Sequence, residues 1–204
     1  MSTQPETSQL GTHQKVLLSA FLLLLALTLV GLGAFASFTS SSSASHTVAT
    51  GTVTIALGAT GAQTNRLTVN ATALAPSDSI QRSFDLGNTG SLNLASITLT
   101  TNATTSSLLD TDGTNGLQMT IDRCSTAWTE SGSSPAFSYT CGGSTSSVLA
   151  SRALVGSNIS LSNLGALTAG STDHLRLTLA LPSAADNTFQ NQTSVVQYTF
   201  TGTH

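Results

Sequence analysis

Apolar and polar residues alternate along most of this chain from Thr47 to its last residues. A period of two marks strands with one buried face, because successive side chains point to opposite sides of a sheet. Val53, Ile55 and Leu57 alternate with Thr54 and Ala56, and Leu67, Val69 and Ala71 follow in the same way. Ile80, Phe84 and Leu86 share one parity, after which Asn88-Thr89-Gly90 supplies a turn. Leu92 and Leu94 fall on even positions while Ile97 and Leu99 fall on odd ones, a shift that predicts a bulge or kink within one run. Later runs are Leu117/Met119/Ile121, Phe137/Tyr139/Cys141, Ile159/Leu161, Leu175/Leu177/Leu179/Leu181 and Val196/Tyr198/Phe200. The last of these, within Val195 to Thr201, is apolar enough to predict a central or well-covered strand. About nine short strands separated by Gly, Asn, Asp and Pro predict an all-β domain over residues 50–204, an antiparallel β-sandwich of jelly-roll type.

The first fifty residues follow another pattern. Val16 to Phe38 runs 23 residues without a charge and is dense in leucine, which predicts an N-terminal hydrophobic helix. At about 1.5 Å per residue such a helix is long enough to cross a bilayer, so a membrane anchor competes with a signal peptide. Gly31 and Gly33 break the helix just before Ala34-Phe35-Ala36, an A-x-A pattern, and no basic stop-transfer cluster follows. Cleavage after Ala36 is expected, with residues 1–36 removed as a signal peptide and Ser37 opening the mature chain. Lys15, on the cytoplasmic side of the segment, fits the positive-inside rule. Residues 37–49 hold Phe38 and Val48 among serine, threonine and alanine, too little to pack a core strand alone. A segment of this kind stays disordered or becomes ordered by adding to the edge of another sheet.

Composition narrows the function classes. Charged residues make up 7% of the chain, and Lys15 is its only lysine beside five arginines. That excludes the clustered cations a nucleic-acid footprint requires, and a net charge of −3 points to no cationic partner. Serine and threonine take the place of charge, at 65 positions of 204. Cys124 and Cys141 are the only cysteines, and in an exported chain an even pair reads as a disulfide.

Candidate chemistry is sparse. The histidines are His13, His46, His174 and His204, and no H-E-x-x-H or G-x-S-x-G occurs. Asp173-His174 reads as a pair of surface turn residues, since neighbours on a strand would face opposite ways. Asp110, Asp112 and Asn115 surround Gly113 with oxygen donors, which makes them a weak calcium candidate. The twelfth position of an EF-hand loop, where a glutamate is needed, holds Ile121, and the competing reading is a hairpin loop rich in Asx turns. No other metal or cofactor is expected. Trp128 is a candidate ligand contact, as an exposed indole stacks well on a sugar ring.

Two blocks resemble a known family. Gly31-Leu-Gly33-Ala-Phe35-Ala36-Ser-Phe38 precedes Val48-Ala-Thr-Gly51-Thr-Val53-Thr-Ile55, and Ala75-Pro76-Ser77-Asp78 leads through Phe84-Asp85-Leu86 to Asn88-Thr89-Gly90-Ser91-Leu92. Together they are similar to the TasA/camelysin family of exported biofilm-matrix proteins. The resemblance implies a jelly-roll domain and release by a dedicated signal peptidase. In fibre-forming members it also implies self-association into filaments, each subunit donating an N-terminal strand to the next, with Phe38 and Val48 as the contacts here. Ser77 departs from the family's glycine, so the turn there either avoids a positive φ or carries its cost. The charged residues of the better-known fibre formers are mostly missing.

The expected function is that of a secreted structural protein without enzymatic activity, touching the membrane only through its N-terminal segment before cleavage. A monomeric secreted adhesin or carbohydrate-binding module is the alternative, and a secreted metallopeptidase a more remote one.

Overall fold

The computed structural model describes residues 52–67 and 74–204. The hydrophobic segment, Ala34, Ala36, Ser37, Phe38 and Val48, and the expected strand positions Val69 and Ala71, lie outside the described residues. Within the described residues ten strands form: β1 (Ile55–Leu57), β2 (Ser79–Asn88), β3 (Ser96–Thr105), β4 (Gln118–Cys124), β5 (Trp128–Ser133), β6 (Ala136–Cys141), β7 (Thr145–Ala153), β8 (Gly156–Ser160), β9 (Thr172–Ala180) and β10 (Val195–Thr203). They make a five-stranded sheet in the order β1-β2-β9-β4-β7, a three-stranded sheet in the order β10-β3-β8, and the hairpin β5-β6. Every pairing is antiparallel. The only α-helix among these residues is the single turn α1 (Leu108–Thr111).

One core joins the two sheets. Phe84, Met119, Ile121, Leu175 and Leu177 from the larger sheet are buried in the same cluster as Ile97, Leu99 and Ile159 from the smaller. The Phe84 ring lies 5.4 Å from that of Phe200 across the interface. The chain changes sheet between β2 and β3, β3 and β4, β7 and β8, β8 and β9, and β9 and β10. This is the connectivity of a jelly roll. Alternation sets the faces: Phe84 pairs with Leu175 and Ile80 with Leu179, whereas Ser83 pairs with Arg176 and Asp85 with His174. The first set meets the other sheet, and the second faces away from it.

Several expectations change at the level of pairing. The parity shift between Leu94 and Ile97 is no bulge within a strand: residues 89–95 are a bend in which the chain leaves one sheet for the other. The strand expected from Leu67 does not include that residue, which sits in a turn. Among the described residues the last strand, β10, is not central; it pairs with β3 and forms an edge of the three-stranded sheet. Its inward residues Val196, Tyr198 and Phe200 pack on the core, while Val195, Gln197, Thr199, Thr201 and Thr203 are exposed. Burial of one face says nothing about neighbours at the side. β5 and β7 were not expected at all. Val148 and Leu149 are adjacent and both buried, and the β4–β7 register shifts around Ile121, so β7 lacks the period-two signature.

Ser77 has a φ of 76°, so its turn does adopt the left-handed conformation. Ser77 N–H donates to the Leu181 carbonyl at 2.9 Å, and the Asp78 carboxylate accepts from Ala75 N–H at 2.8 Å. These bonds hold a geometry that costs a residue with a Cβ about 1–2 kcal/mol.

Candidate functional site

Charge is scarce in this protein, and much of it collects on one surface. Down the outer face of the five-stranded sheet run Asp85 on β2, His174 and Arg176 on β9, and Asp122 on β4. Asp85 and His174 are cross-strand partners, with Oδ1 and Nδ1 2.8 Å apart. Arg176 reaches Asp122 Oδ2 at 2.8 Å from the directly opposed position on β4. Such cross-strand pairs stabilise a sheet by about 0.2–1 kcal/mol each.

The hairpin β5–β6 covers this surface. It branches from the end of β4, and the Cys124–Cys141 disulfide ties its last residue back to β4 with a Cα–Cα distance of 5.7 Å. Cys124, Trp128 and Tyr139 form a second hydrophobic cluster apart from the main core, with Phe137 and Cys141 packed against it. Gly132, one residue before the end of β5, has a φ of 83°, and a Cβ there would meet the Ala136 carbonyl oxygen at 2.4 Å; Ser134-Pro135 makes the turn. Trp128 donates its indole N–H to the His174 carbonyl at 3.0 Å, and the Arg176 guanidinium lies 4.5 Å from the ring centroid. With 4% of its surface exposed, Trp128 has no open ring face for a sugar. It is an anchor of the hairpin, contrary to the expected ligand contact.

A second set of bonds holds both strands of the hairpin. Arg66 contacts both Glu130 oxygens, at 3.0 and 2.6 Å. Tyr139 O–H donates to Glu130 at 2.9 Å, and Tyr139 N–H to the Gln81 side chain at 3.1 Å. The Arg66 guanidinium holds the Glu130 carboxyl below the usual range, and burial pushes the Tyr139 phenol up. The guanidiniums of Arg66 and Arg82 lie 4.6 and 5.7 Å from the Phe137 centroid. Beside Trp128 is a shallow cleft of ≈140 Å³ lined by Gln63, Thr64, Ser83, Asp85 and Ala127. Ser83 O–H is already committed to the Gln63 carbonyl at 2.6 Å.

The Asp110 cluster takes a different form from the hairpin loop expected. Ser107 caps α1, and Asp110 at the third helical position accepts the Ser107 N–H at 2.7 Å, a capping box. The same carboxylate accepts from Ser106 at 2.7 Å and from Ser194, which ties α1 to the start of β10. Burial alone would raise the Asp110 carboxyl, but the hydroxyls of Ser106 and Ser194 and the Ser107 amide hold it below its usual range. Asp112 Oδ1 accepts from Thr114 and Asn115 N–H, both at 2.9 Å. Asn115 thus offers its backbone to Asp112.

Asp173 and His174 also depart from the surface-turn reading. Both lie in β9 and face opposite ways, as neighbours on a strand must. The Asp173 carboxylate is fully buried, 2.7 Å from Arg123 Nε, and accepts the Gly165 and Ala166 N–H groups at 3.0 and 2.8 Å. The remaining described carboxylate, Asp186, caps the 3-10 turn Asn187–Phe189 through Thr188. Every carboxylate among the described residues therefore holds an N–H, an O–H, an imidazole or a guanidinium of the fold. No three of the described His, Cys, Asp and Glu residues gather where they could hold a metal ion. A catalytic zinc site needs three converging ligands and an open position, and the described residues do not fit one.

The profile described as camelysin metallo-endopeptidase matches residues 12–204, and the chain belongs to that family. No curated protein matches it.

Proposed function

We propose that this protein is a secreted structural subunit of extracellular matrix or cell-surface fibres, with no peptidase activity of its own. The observation that carries the reading is the free side of β10. A nine-residue strand with a fully alternating burial pattern pairs with β3 alone, so among the described residues its other side has no strand partner. A long unpaired edge is a template for another chain, and folded proteins blunt such edges unless they use them. The donated strand would come from residues 37–49 of a neighbouring subunit, once cleavage after Ala36 releases it from the hydrophobic segment. Backbone hydrogen bonds would supply most of the affinity. Phe38 would be the main anchor, worth roughly 1.5–3 kcal/mol if fully buried. A head-to-tail contact that does not close into a ring grows into a fibre.

The engagement of every described carboxylate in the fold supports the non-enzymatic half of this reading, despite the family's printed description. Negative-stain microscopy of the exported protein tests the reading. Filaments that lengthen with concentration, and vanish when residues 37–45 are deleted from a chain that still folds, are expected. A deletion variant with normal filaments would sink strand donation, and metal-dependent cleavage of a peptide library by the purified protein would sink the non-enzymatic role.

A further inference from the structure

The cleft beside Trp128 takes its lining from three places: Ser83 and Asp85 on β2, Ala127 and Trp128 at the base of the hairpin, and Gln63 and Thr64 in the loop between β1 and β2. Asp85 is the only charged residue in that lining. Its Oδ1 meets His174 Nδ1 at 2.8 Å, and against an ionised carboxylate that nitrogen has to be the donor. A neutral imidazole makes this bond without cancelling the carboxylate's charge. Among the described residues no hydrogen bond reaches Asp85 Oδ2. Arg176 and Arg66, on the same surface, are paired with Asp122 and Glu130 instead. The Asp85 side chain is 25% exposed, so its charge is open to the cleft while partly withdrawn from bulk water.

Neutral hydrogen-bonding groups surround the carboxylate. Thr64 is exposed, and its hydroxyl has no hydrogen bond among the described residues. Ser83 Oγ gives its proton to the Gln63 carbonyl and keeps an acceptor lone pair. Gln63 gives its side-chain N–H to the Trp128 carbonyl and keeps its own amide oxygen. These groups line ≈140 Å³, roughly ten times the room that one water needs. The chemistry selects the occupant. An anion is repelled by Asp85, and an apolar ligand would bury the carboxylate unpaired. A hard metal ion takes about six to eight oxygens held close, which one carboxylate in so wide a cleft does not supply. We propose that this cleft binds a primary ammonium group carried on a small hydroxylated body, the chemistry of an amino sugar. The ammonium donates to Asp85 Oδ2 and to the spare acceptors of Ser83 and Gln63, three donors for three acceptors. The hydroxyls of the body meet Thr64. Trp128, with Arg176 on its ring, contributes a wall and not a stacking face, so charge and hydrogen bonds do the recognising. The site stands whether or not the chain forms fibres.

Trp128 is the only tryptophan, so its fluorescence reports from the cleft wall. Glucosamine titrated into the exported protein at constant ionic strength is expected to shift that fluorescence saturably, with a Kd on the order of millimolar. Glucose and N-acetylglucosamine have the body without the charge, and butylammonium has the charge without the body. Each should bind at least roughly tenfold more weakly than glucosamine. Asp85→Asn keeps the shape of the side chain, removes its charge and should weaken glucosamine by roughly tenfold or more. Ala127→Leu is the second variant, because it leaves the Asp85–His174 pair alone. Ala127 is exposed, so the larger side chain occupies the cleft at an unchanged melting temperature and should abolish the response. The absence of a saturable response to glucosamine would overturn the proposal, as would an equal response to glucose or full binding by both variants. Butylammonium that binds as tightly as glucosamine would overturn the hydroxylated body.

Discussion

On β9, His174 and Arg176 reach carboxylates on the strands to either side. On β3, Thr98, Thr100 and Asn102 have only hydroxyl and amide neighbours. Inside the sandwich the two sheets are alike, each giving alternate leucine, isoleucine and phenylalanine residues to one core. They differ outside. The charged face is roofed by a hairpin held by a disulfide, an indole N–H and three ring–guanidinium contacts. Among the described residues nothing covers the uncharged face. A chain with 7% charged residues has few ion pairs to place, and four of them lie on the five-stranded sheet or on the loop and hairpin at its side. The difference teaches that charge among the described residues serves internal attachment, and that the outer face of the smaller sheet does without it.

That contrast can be broken by removing the roof. Trp128→Ala should cost about 3–5 kcal/mol, as expected for a buried aromatic, measured by denaturant unfolding. A loss under 1 kcal/mol would mean that the hairpin is an accessory and the charged face is functionally open. Replacing Cys124 and Cys141 together by serine removes a link that closes a loop of about 18 residues, so a loss of about 3 kcal/mol is expected. Thiol labelling of the unreduced native protein should modify neither cysteine.

A smaller effect sharpens the contrast through pH. The folded-state pKa of Glu130 lies below its unfolded value because Arg66 stabilises the carboxylate. The unfolded chain therefore binds the proton first on acidification. The stabilisation is fully present at neutral pH and is lost as pH falls below the ordinary glutamate value and through the folded pKa. Asp110 is depressed as well and acts with the same sign. Glu130→Gln should flatten the acid limb of a melting-temperature profile, and Asp110, Asp112 and Asp186, all held below their usual range, should contribute to what slope remains. Smallest of all, Thr199→Lys on the open face should change stability by no more than about 0.5 kcal/mol. A larger loss would show that the neutral face also has structural work to do.

Much of the inner face was legible in the sequence, because a residue's side of a strand is set by its parity and apolar residues choose the buried side. Phe84, Leu86, Met119, Ile121, Leu175 and Leu177 were all readable in this way and all are buried. The disulfide followed from an even cysteine count in a chain read as exported. The role of Trp128 did not follow, since nothing local distinguishes an indole stacked on a sugar from one lying under Arg176, 48 positions away. The bonding of the Asp110 cluster was hidden for a related reason. Its spacing fits an oxygen cage, and nothing local shows that Ser106, Ser107 and the distant Ser194 donate to the Asp110 carboxylate.

The sequence by itself determined the strand class, the identity of the core residues, the scarcity of charge and the family to which the chain belongs. The first three depend on composition and on a period of two, and the family on short blocks of residues, all of them local properties. Tertiary structure alone decided which strands lie at edges, which sheet carries the charge and which outer face is covered. Those outcomes depend on pairings such as Asp85 with His174 and Thr199 with Thr100, between residues nearly a hundred positions apart. A pattern along the chain tells a strand which side to bury; only its partners across the sheet tell it where to stand.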